Sequence, residues 1–281
     1  MPELPEVETL RRDLFTVMVG KSIRYASALN RRSIRAHSTF ADFEEPLSGT
    51  LVKDIGRKGK FLSITLESDR QSEFAMVAHM GMSGQMRHFA NHEEVPKHTH
   101  VLFELTDSSL IAFIDPRTFG QLYLDELDSS GLAVTLSRLG ADPISQPELL
   151  GRALAQCATS GVGIKWLLLD QSRICGIGNM YADEILFRAG IRFDRPGRSL
   201  DKEELSKLAR AIPEVLNEAI VLRGSSLKDL QYRDVVGGIG GFQTMHLAYG
   251  REGLDCMRCN GIIERIFSKG RSSYLCSSCQ R

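Results

Sequence analysis

The chain opens with Met1-Pro2-Glu3-Leu4-Pro5-Glu6-Val7-Glu8-Thr9-Leu10-Arg11-Arg12, and this stretch decides how the remainder is read. Met1 precedes a small residue, the context in which an initiator methionine is trimmed, and trimming leaves Pro2 with a free secondary amine. An α-amino group with a pKa near ~8 is substantially deprotonated near neutrality, whereas a lysine amine at ~10.4 must first be tuned downward. Attack of such an amine on a sugar aldehyde carbon gives an iminium, an electron sink that acidifies the neighbouring C–H bonds. Glu3, beside it, is a candidate proton shuttle. The plainer alternative is a helix entry, with Pro5 at the first helical position and Glu6 and Glu8 near the positive helix end. Val7, Leu10, Leu14 and Met18 fall at helical spacing, which predicts an amphipathic helix from about Pro5 to Met18, closed by Gly20.

Between residues 22 and 125 the helical period disappears. Short apolar runs take over at Ile23–Leu29, Leu51–Ile55, Phe61–Leu66, Phe74–His79, Val101–Leu105, Leu110–Ile114 and Gln121–Leu124, separated by Gly, Asn and Asp turns. They predict an antiparallel β-sandwich or barrel. After Asp128-Ser129-Ser130-Gly131 the texture turns helical, with candidate helices at Leu149–Cys157, Ile164–Asp170, Met180–Ala189 and Lys202–Leu222. Asn179 is placed as an N-cap for the third, and Gly190 lies just past its end. The fold class expected is α+β: an N-terminal helix plus an antiparallel β-sandwich over 1–131, a helical domain over 132–235, and a terminal hairpin over 236–281.

Cys256-x2-Cys259 and Cys276-x2-Cys279 stand sixteen residues apart. Paired CxxC knuckles at this separation predict tetrahedral thiolate ligation of one structural zinc ion. Disulfides are the alternative, which a cytosolic setting disfavours. Ile262–Ile266 and Ser273–Leu275 are expected to be the hairpin strands, with Lys269-Gly270-Arg271 at the tip. The metal replaces a core that so short a segment cannot build, at an apparent ~10 to 16 kcal/mol. Cys157 and Cys175 lie outside this group and are expected to be buried packing residues.

Lys plus Arg equals Asp plus Glu, 35 each, so any basic face must be local. From Arg223 to Arg281 there are nine Lys/Arg against five Asp/Glu. No membrane span is visible. No basic region followed by an apolar run marks a secretory signal, which points to the cytoplasm.

MPELPEVETLRR resembles the N-terminus of the formamidopyrimidine-DNA glycosylases, and the resemblance runs from residue 2 to residue 280. It implies a bifunctional base-excision repair enzyme acting as a monomer on damaged double-stranded DNA, with Pro2 as nucleophile and Glu3 handling protons. Glu6 is implied at the sugar. Arg57-Lys58-Gly59-Lys60 resembles a family element whose lysine, matched by Lys60, contacts the lesion phosphate and assists elimination; by itself it is a solvated turn. Extruding a base leaves a hole that apolar wedges and an arginine can fill. The resemblance gives that role to Met82, Arg117 and Phe119, from the stretches His79–Gly84 and Asp115–Gly120, which otherwise read as turns.

His98, in Lys97-His98-Thr99-His100, is implied at DNA; without the resemblance these histidines read as loop residues or a weak metal site. GIGNMYADEILFRAGI resembles the family's helix-two-turn-helix segment, in which Asn179 meets backbone phosphate, and Lys165 matches a phosphate-binding lysine. Arg271 matches the family's finger-tip arginine, which holds the phosphates flanking the lesion and aids the second elimination; by itself it reads as a solvated turn. Two departures stand out: Cys157–Gly163 lacks a basic residue, and Arg223-Gly224-Ser225-Ser226 replaces the Gly-Gly-Thr-Thr frequent in relatives. The region from Arg223 to Gly241 otherwise reads as a mobile linker, and the resemblance makes it approximate the loop that closes over the flipped base.

The activity implied is excision of oxidised purines with β,δ-elimination. Three rivals remain. An endonuclease VIII-like enzyme for oxidised pyrimidines typically has Gly at the position of Leu4. A catalytically silent DNA-binding protein would lack Pro2 or Glu3. A tautomerase using Pro2 as base would have no use for the cysteine pairs.

Overall fold

Helix α1 spans Leu4–Met18, one residue earlier than its apolar spacing predicts, because Glu3 and not Leu4 is the N-cap. Val7, Leu10, Leu14 and Met18 are all fully buried, as a single apolar stripe requires. The computed structural model describes residues 2–90, 95–227 and 232–281. The chain divides into two compact units, Met1–Ser137 with Arg223–Gly240, and Arg138–Leu222 with Gly241–Arg281.

In the first unit the strands are β1 (Ile23–Ala28), β2 (Leu51–Lys58), β3 (Phe61–Glu67), β4 (Glu73–His79), β5 (Gln85–Phe89), β6 (Thr99–Leu105), β7 (Leu110–Ile114) and β8 (Gln121–Asp125), with a short helix α2 (Ala41–Glu44) after β1. They form two four-stranded sheets of order β1-β6-β7-β5 and β2-β3-β4-β8. Every neighbouring pair within them is antiparallel. Leu62, Ile64 and Leu66 of one sheet share a core with Phe103, Ile111 and Phe113 of the other and with the α1 stripe. This is the expected sandwich. Strand β5 is absent from the sequence reading: Gln85-Met86-Arg87-His88-Phe89 buries only Met86 and Phe89, so it lacks the period-two signal. Residues 232–240 return to this unit, where the His88 N–H donates to the Val235 carbonyl at 2.9 Å.

The second unit holds α3 (Pro147–Cys157), α4 (Ile164–Leu168), α5 (Asn179–Ala189), α6 (Lys202–Val221) and the hairpin β9 (Glu264–Ser268) with β10 (Arg271–Leu275). The N-cap of α5 is Gly178, which corrects the placing of Asn179 there; Gly190 closes the helix at φ +73° as expected. α6 starts on an Asp201/Glu204 capping box. The first hairpin strand sits two residues later than its apolar run suggests, and the second begins two residues earlier. Arg271 pairs with Ser268, leaving Lys269 and Gly270 as a two-residue turn with φ of +47° and +77°. Cys157 and Cys175 are fully buried. No helix among the described residues is long and apolar enough to cross a membrane.

Candidate active site

The N-terminus of α1 is held by carboxylates. Glu6 Oε2 accepts the Glu3 N–H at 2.8 Å, the return half of a capping box. The other oxygen of Glu6 accepts the Ser225 N–H, also at 2.8 Å. Glu6 is 1% exposed, so its carboxylate joins the backbone beside Pro2 to the segment 223–226 within the same unit. Gly224 is required there: a Cβ would lie 2.6 Å from Glu6 Oε1, and φ is +77°. Segment 223–226 is therefore packed, with Ser225 and Ser226 buried, and not a loose linker; residues 228–231 of the same region lie outside the described residues.

Arg223 adopts φ +61°. That conformation costs about 1–2 kcal/mol in a non-glycine residue. Its guanidinium offsets this through Asp13 at 2.5 Å and Asp234 at 2.7 Å.

Lys60 follows Gly59 in the turn from β2 to β3 and is 7% exposed. The turn is tied to α1 by Arg57, whose Nε donates to Glu8 Oε2 at 3.0 Å and whose Nη1 donates to the Gly59 carbonyl at 3.0 Å. Burial alone would raise the Glu8 carboxyl, but Arg11, Arg57 and Arg12 outweigh it and hold the pKa at about 2. His79 ends β4 opposite Phe61, its ring stacked on that phenyl at 4.5 Å. Burial and then the Lys60 charge push His79 down to about 4, so it is neutral at physiological pH.

Met82 and Phe119 are large apolar side chains left in solvent, 39% and 47% exposed. The Arg117 guanidinium lies over the Phe119 ring at 5.3 Å. His98 is exposed with φ +65°, whereas His100 is buried and pairs through Nε2 with the Asp115 carbonyl at 2.9 Å. Of the two histidines, only His98 is presented outward.

In the second unit Lys165, expected at a phosphate, is enclosed by protein groups. Its side chain is fully buried, and Nζ lies 2.7 Å from Asp183 Oδ1, 2.9 Å from the Ser272 carbonyl and 2.9 Å from Ser273 Oγ. Three protein partners surround an ammonium with three protons. The Asn179 amide also docks on the Ser272 carbonyl, at 3.1 Å, and the Tyr274 N–H donates to Asp183 Oδ2 at 3.1 Å. Both residues thus grip β10 immediately after Arg271, which is itself exposed. Lys269 Nζ lies over the Trp166 ring at 5.4 Å, bracing the hairpin turn on α4.

Sequence reasoning missed Asp183 and its neighbour Glu184. The Glu184 carboxylate accepts the N–H groups of Leu247, Ala248 and Tyr249 at 2.9, 3.0 and 2.7 Å. Two adjacent acids inside a predicted helix were the available signal, since an unpaired acid on a buried face has no other reason to be there.

Cys256, Cys259, Cys276 and Cys279 place their sulfurs within 4.8 Å of one another. The Cys256–Cys279 and Cys259–Cys276 Sγ separations are 3.7 and 3.6 Å. Bonds of about 2.3 Å to a central zinc imply tetrahedron edges of about 3.8 Å, so the set fits a metal ion. Backbone N–H groups of Arg258 and Gly261 donate to the Cys256 and Cys259 sulfurs at 3.4 and 3.3 Å. Within the cluster the Gly261 N–H and then the neighbouring sulfurs lower the Cys259 thiol, whereas burial and the neighbouring sulfurs raise those of Cys276 and Cys279.

Residues 1–122 match the model of the formamidopyrimidine-DNA glycosylase N-terminal domain, and residues 139–231 match that of the formamidopyrimidine-DNA glycosylase H2TH domain. The chain is 38% identical over 283 residues to the formamidopyrimidine-DNA glycosylase of Shouchella clausii, covering 100% of this chain and 99% of that one. The crystal structure of the MutM (Fpg) protein from Thermus thermophilus superposes with a TM-score of 0.85 at 39% identity, over 99% of this chain and 98% of that one. A Lactococcus lactis Fpg mutant in complex with Fapy-dG-containing DNA gives 0.87 at 31% identity, over the full length of both. The helix that starts beside Pro2, the two-sheet unit and the helical unit with its four-cysteine hairpin define an enzyme of the DNA glycosylase class. Within that class, the chain belongs to the formamidopyrimidine-DNA glycosylase family.

Proposed function

We propose that this chain is a bifunctional DNA glycosylase and abasic-site lyase that excises oxidised purines, 8-oxoguanine and formamidopyrimidines, from duplex DNA. The observation that carries the reading is the construction around Pro2: the residue opens a helix whose first turn is fixed by Glu3 and by both oxygens of Glu6. The Pro2 nitrogen attacks C1′, the C1′–N bond breaks toward the base, and the opened sugar is held as an iminium. Loss of a C2′ proton then expels the 3′ phosphate, and a second elimination expels the 5′ phosphate. Glu3 moves the protons, and Lys60 meets the lesion phosphate. Glu6 serves the sugar by fixing the nucleophile's backbone. Met82, Arg117 and Phe119 fill the stack left by the extruded nucleotide, with His98, Asn179 and Arg271 at the DNA backbone.

One zinc ion held by Cys256, Cys259, Cys276 and Cys279 would organise the hairpin and take no part in the chemistry. The functional segments are 1–131, 132–235 and 236–281, and the enzyme acts as a monomer. Borohydride reduction in the presence of 8-oxoguanine duplex should trap a covalent adduct that mass spectrometry maps to Pro2. Mapping to a lysine would overturn the assignment.

A further inference from the structure

Asp115 follows β7 and is fully buried, yet it is hydrogen-bonded to the loops that carry the exposed Met82 and Phe119. We propose that Asp115 is a positioning residue whose carboxylate sets Met82, Arg117 and Phe119, and whose backbone N–H sets His98, on one rigid frame before DNA arrives. The proposal rests on the wedge role given to these residues above.

Each of the four is reached from Asp115. Oδ1 accepts the hydroxyl of Ser83, next to Met82, and also the Arg117 N–H at 3.3 Å. Oδ2 accepts the N–H of Gly120, next to Phe119, at 2.6 Å. The Asp115 N–H donates to the His98 carbonyl at 3.0 Å, and its own carbonyl accepts the Thr118 N–H at 3.1 Å. The Ser83 hydroxyl closes the ring by accepting the Arg117 N–H at 3.2 Å.

Backbone packing shows that the two loops form one body. Gly81 has φ +59°, and a Cβ there would lie 2.5 Å from the Gly120 nitrogen. Gly120 in turn has no room for a side chain: its Cβ would meet Phe113 Cζ at 2.5 Å. From the outer side, Arg35 Nη1 donates to the Gly120 carbonyl at 2.8 Å.

The physical purpose follows from entropy. Exposed loop residues ordered only on contact with DNA would subtract their conformational freedom from the energy available for extrusion. A buried carboxylate with several N–H and O–H donors removes that loss in advance, because charge-assisted hydrogen bonds are the strong ones. Asn cannot replace it, since its NH2 group would face a donor at one of the two sites.

The test compares single-turnover excision of 8-oxoguanine from a paired duplex with borohydride trapping on a pre-formed abasic site in single-stranded DNA. Asp115→Asn should lower the ratio of the two rates roughly tenfold, and the milder Ser83→Ala roughly fivefold. Met82→Ala is measured alongside. If it lowers the ratio and both clamp variants leave it unchanged, the clamp is wrong and the wedge stands. An unchanged ratio in Met82→Ala itself removes the wedge and the clamp together. Equal slowing on both substrates makes Asp115 a general fold residue and also refutes the proposal. Should Asp115→Asn not fold, Ser83→Ala decides alone.

Discussion

Lys165 and Asp183 form an ion pair at 2.7 Å in which both side chains are sealed from solvent, 0% and 1% exposed. Burial pushes the Asp183 carboxyl up, against the pull of the lysine. A pair in this position is costly to break, because whichever partner remains is an uncompensated buried charge. The pair joins α4 and α5 and, through Ser272 and Ser273, seats β10.

Lys165→Ala is therefore expected to destabilise the protein by about 3–5 kcal/mol, and Asp183→Asn should also be strongly destabilising. Denaturant melts of the two variants test this; costs below about 1 kcal/mol would show that the pair does not carry the packing. Lys165→Met combined with Asp183→Leu removes both charges and should leave the salt dependence of DNA binding unchanged. A slope lower by about one unit would mean that Lys165 meets a phosphate after all.

Arg271 should behave in the opposite way. It is exposed beside the hairpin turn, so Arg271→Ala is expected to leave the melting temperature nearly untouched. The log–log salt slope should fall by about one unit. An unchanged slope in a binding titration across salt concentrations would remove its phosphate role.

Metal analysis should find one zinc per chain, released by chelation. The ligands belong to the hairpin and to the small cluster of Phe187, Ala248 and Ile263, not to the sandwich core. Chelation is expected to weaken DNA binding more than it lowers the melting of the first unit. Active protein without zinc would refute the assignment.

Glu8 supplies a pH prediction. Its folded pKa, about 2, lies below the ordinary value of 4.5. A depressed carboxyl contributes stability that is fully present above its unfolded pKa and is lost as pH falls through the folded one. Thermal melts between pH 6 and about pH 2 should show a loss beginning near ~4.5. Glu8→Gln should flatten that dependence while lowering stability at neutral pH, because Arg57 then loses its buried partner. An identical acid profile in wild type and variant would show that another carboxylate is responsible.

What the sequence determined by itself was set by local regularities. The spacing of Val7, Leu10, Leu14 and Met18 specified α1, the alternating apolar runs specified seven of the eight sandwich strands, and the CxxC pairs specified a four-sulfur cluster. The candidate nucleophile could be read because a proline amine exposed by methionine trimming is a chemical feature before it is a structural one. Tertiary structure alone decided what the polar residues do. Glu6 could be read as an acid near the positive end of a helix, and only the fold shows it holding the backbone of Ser225, 219 residues away. Lys165, which the resemblance sets at a phosphate, is enclosed by protein partners up to 108 positions distant. Asp115 gave no signal, because its partners Ser83, His98 and Gly120 share no period with it. Apolar residues bury by a repeating rule that a sequence displays. A buried charge persists only where specific donors converge on it, and that convergence exists only once the chain has folded.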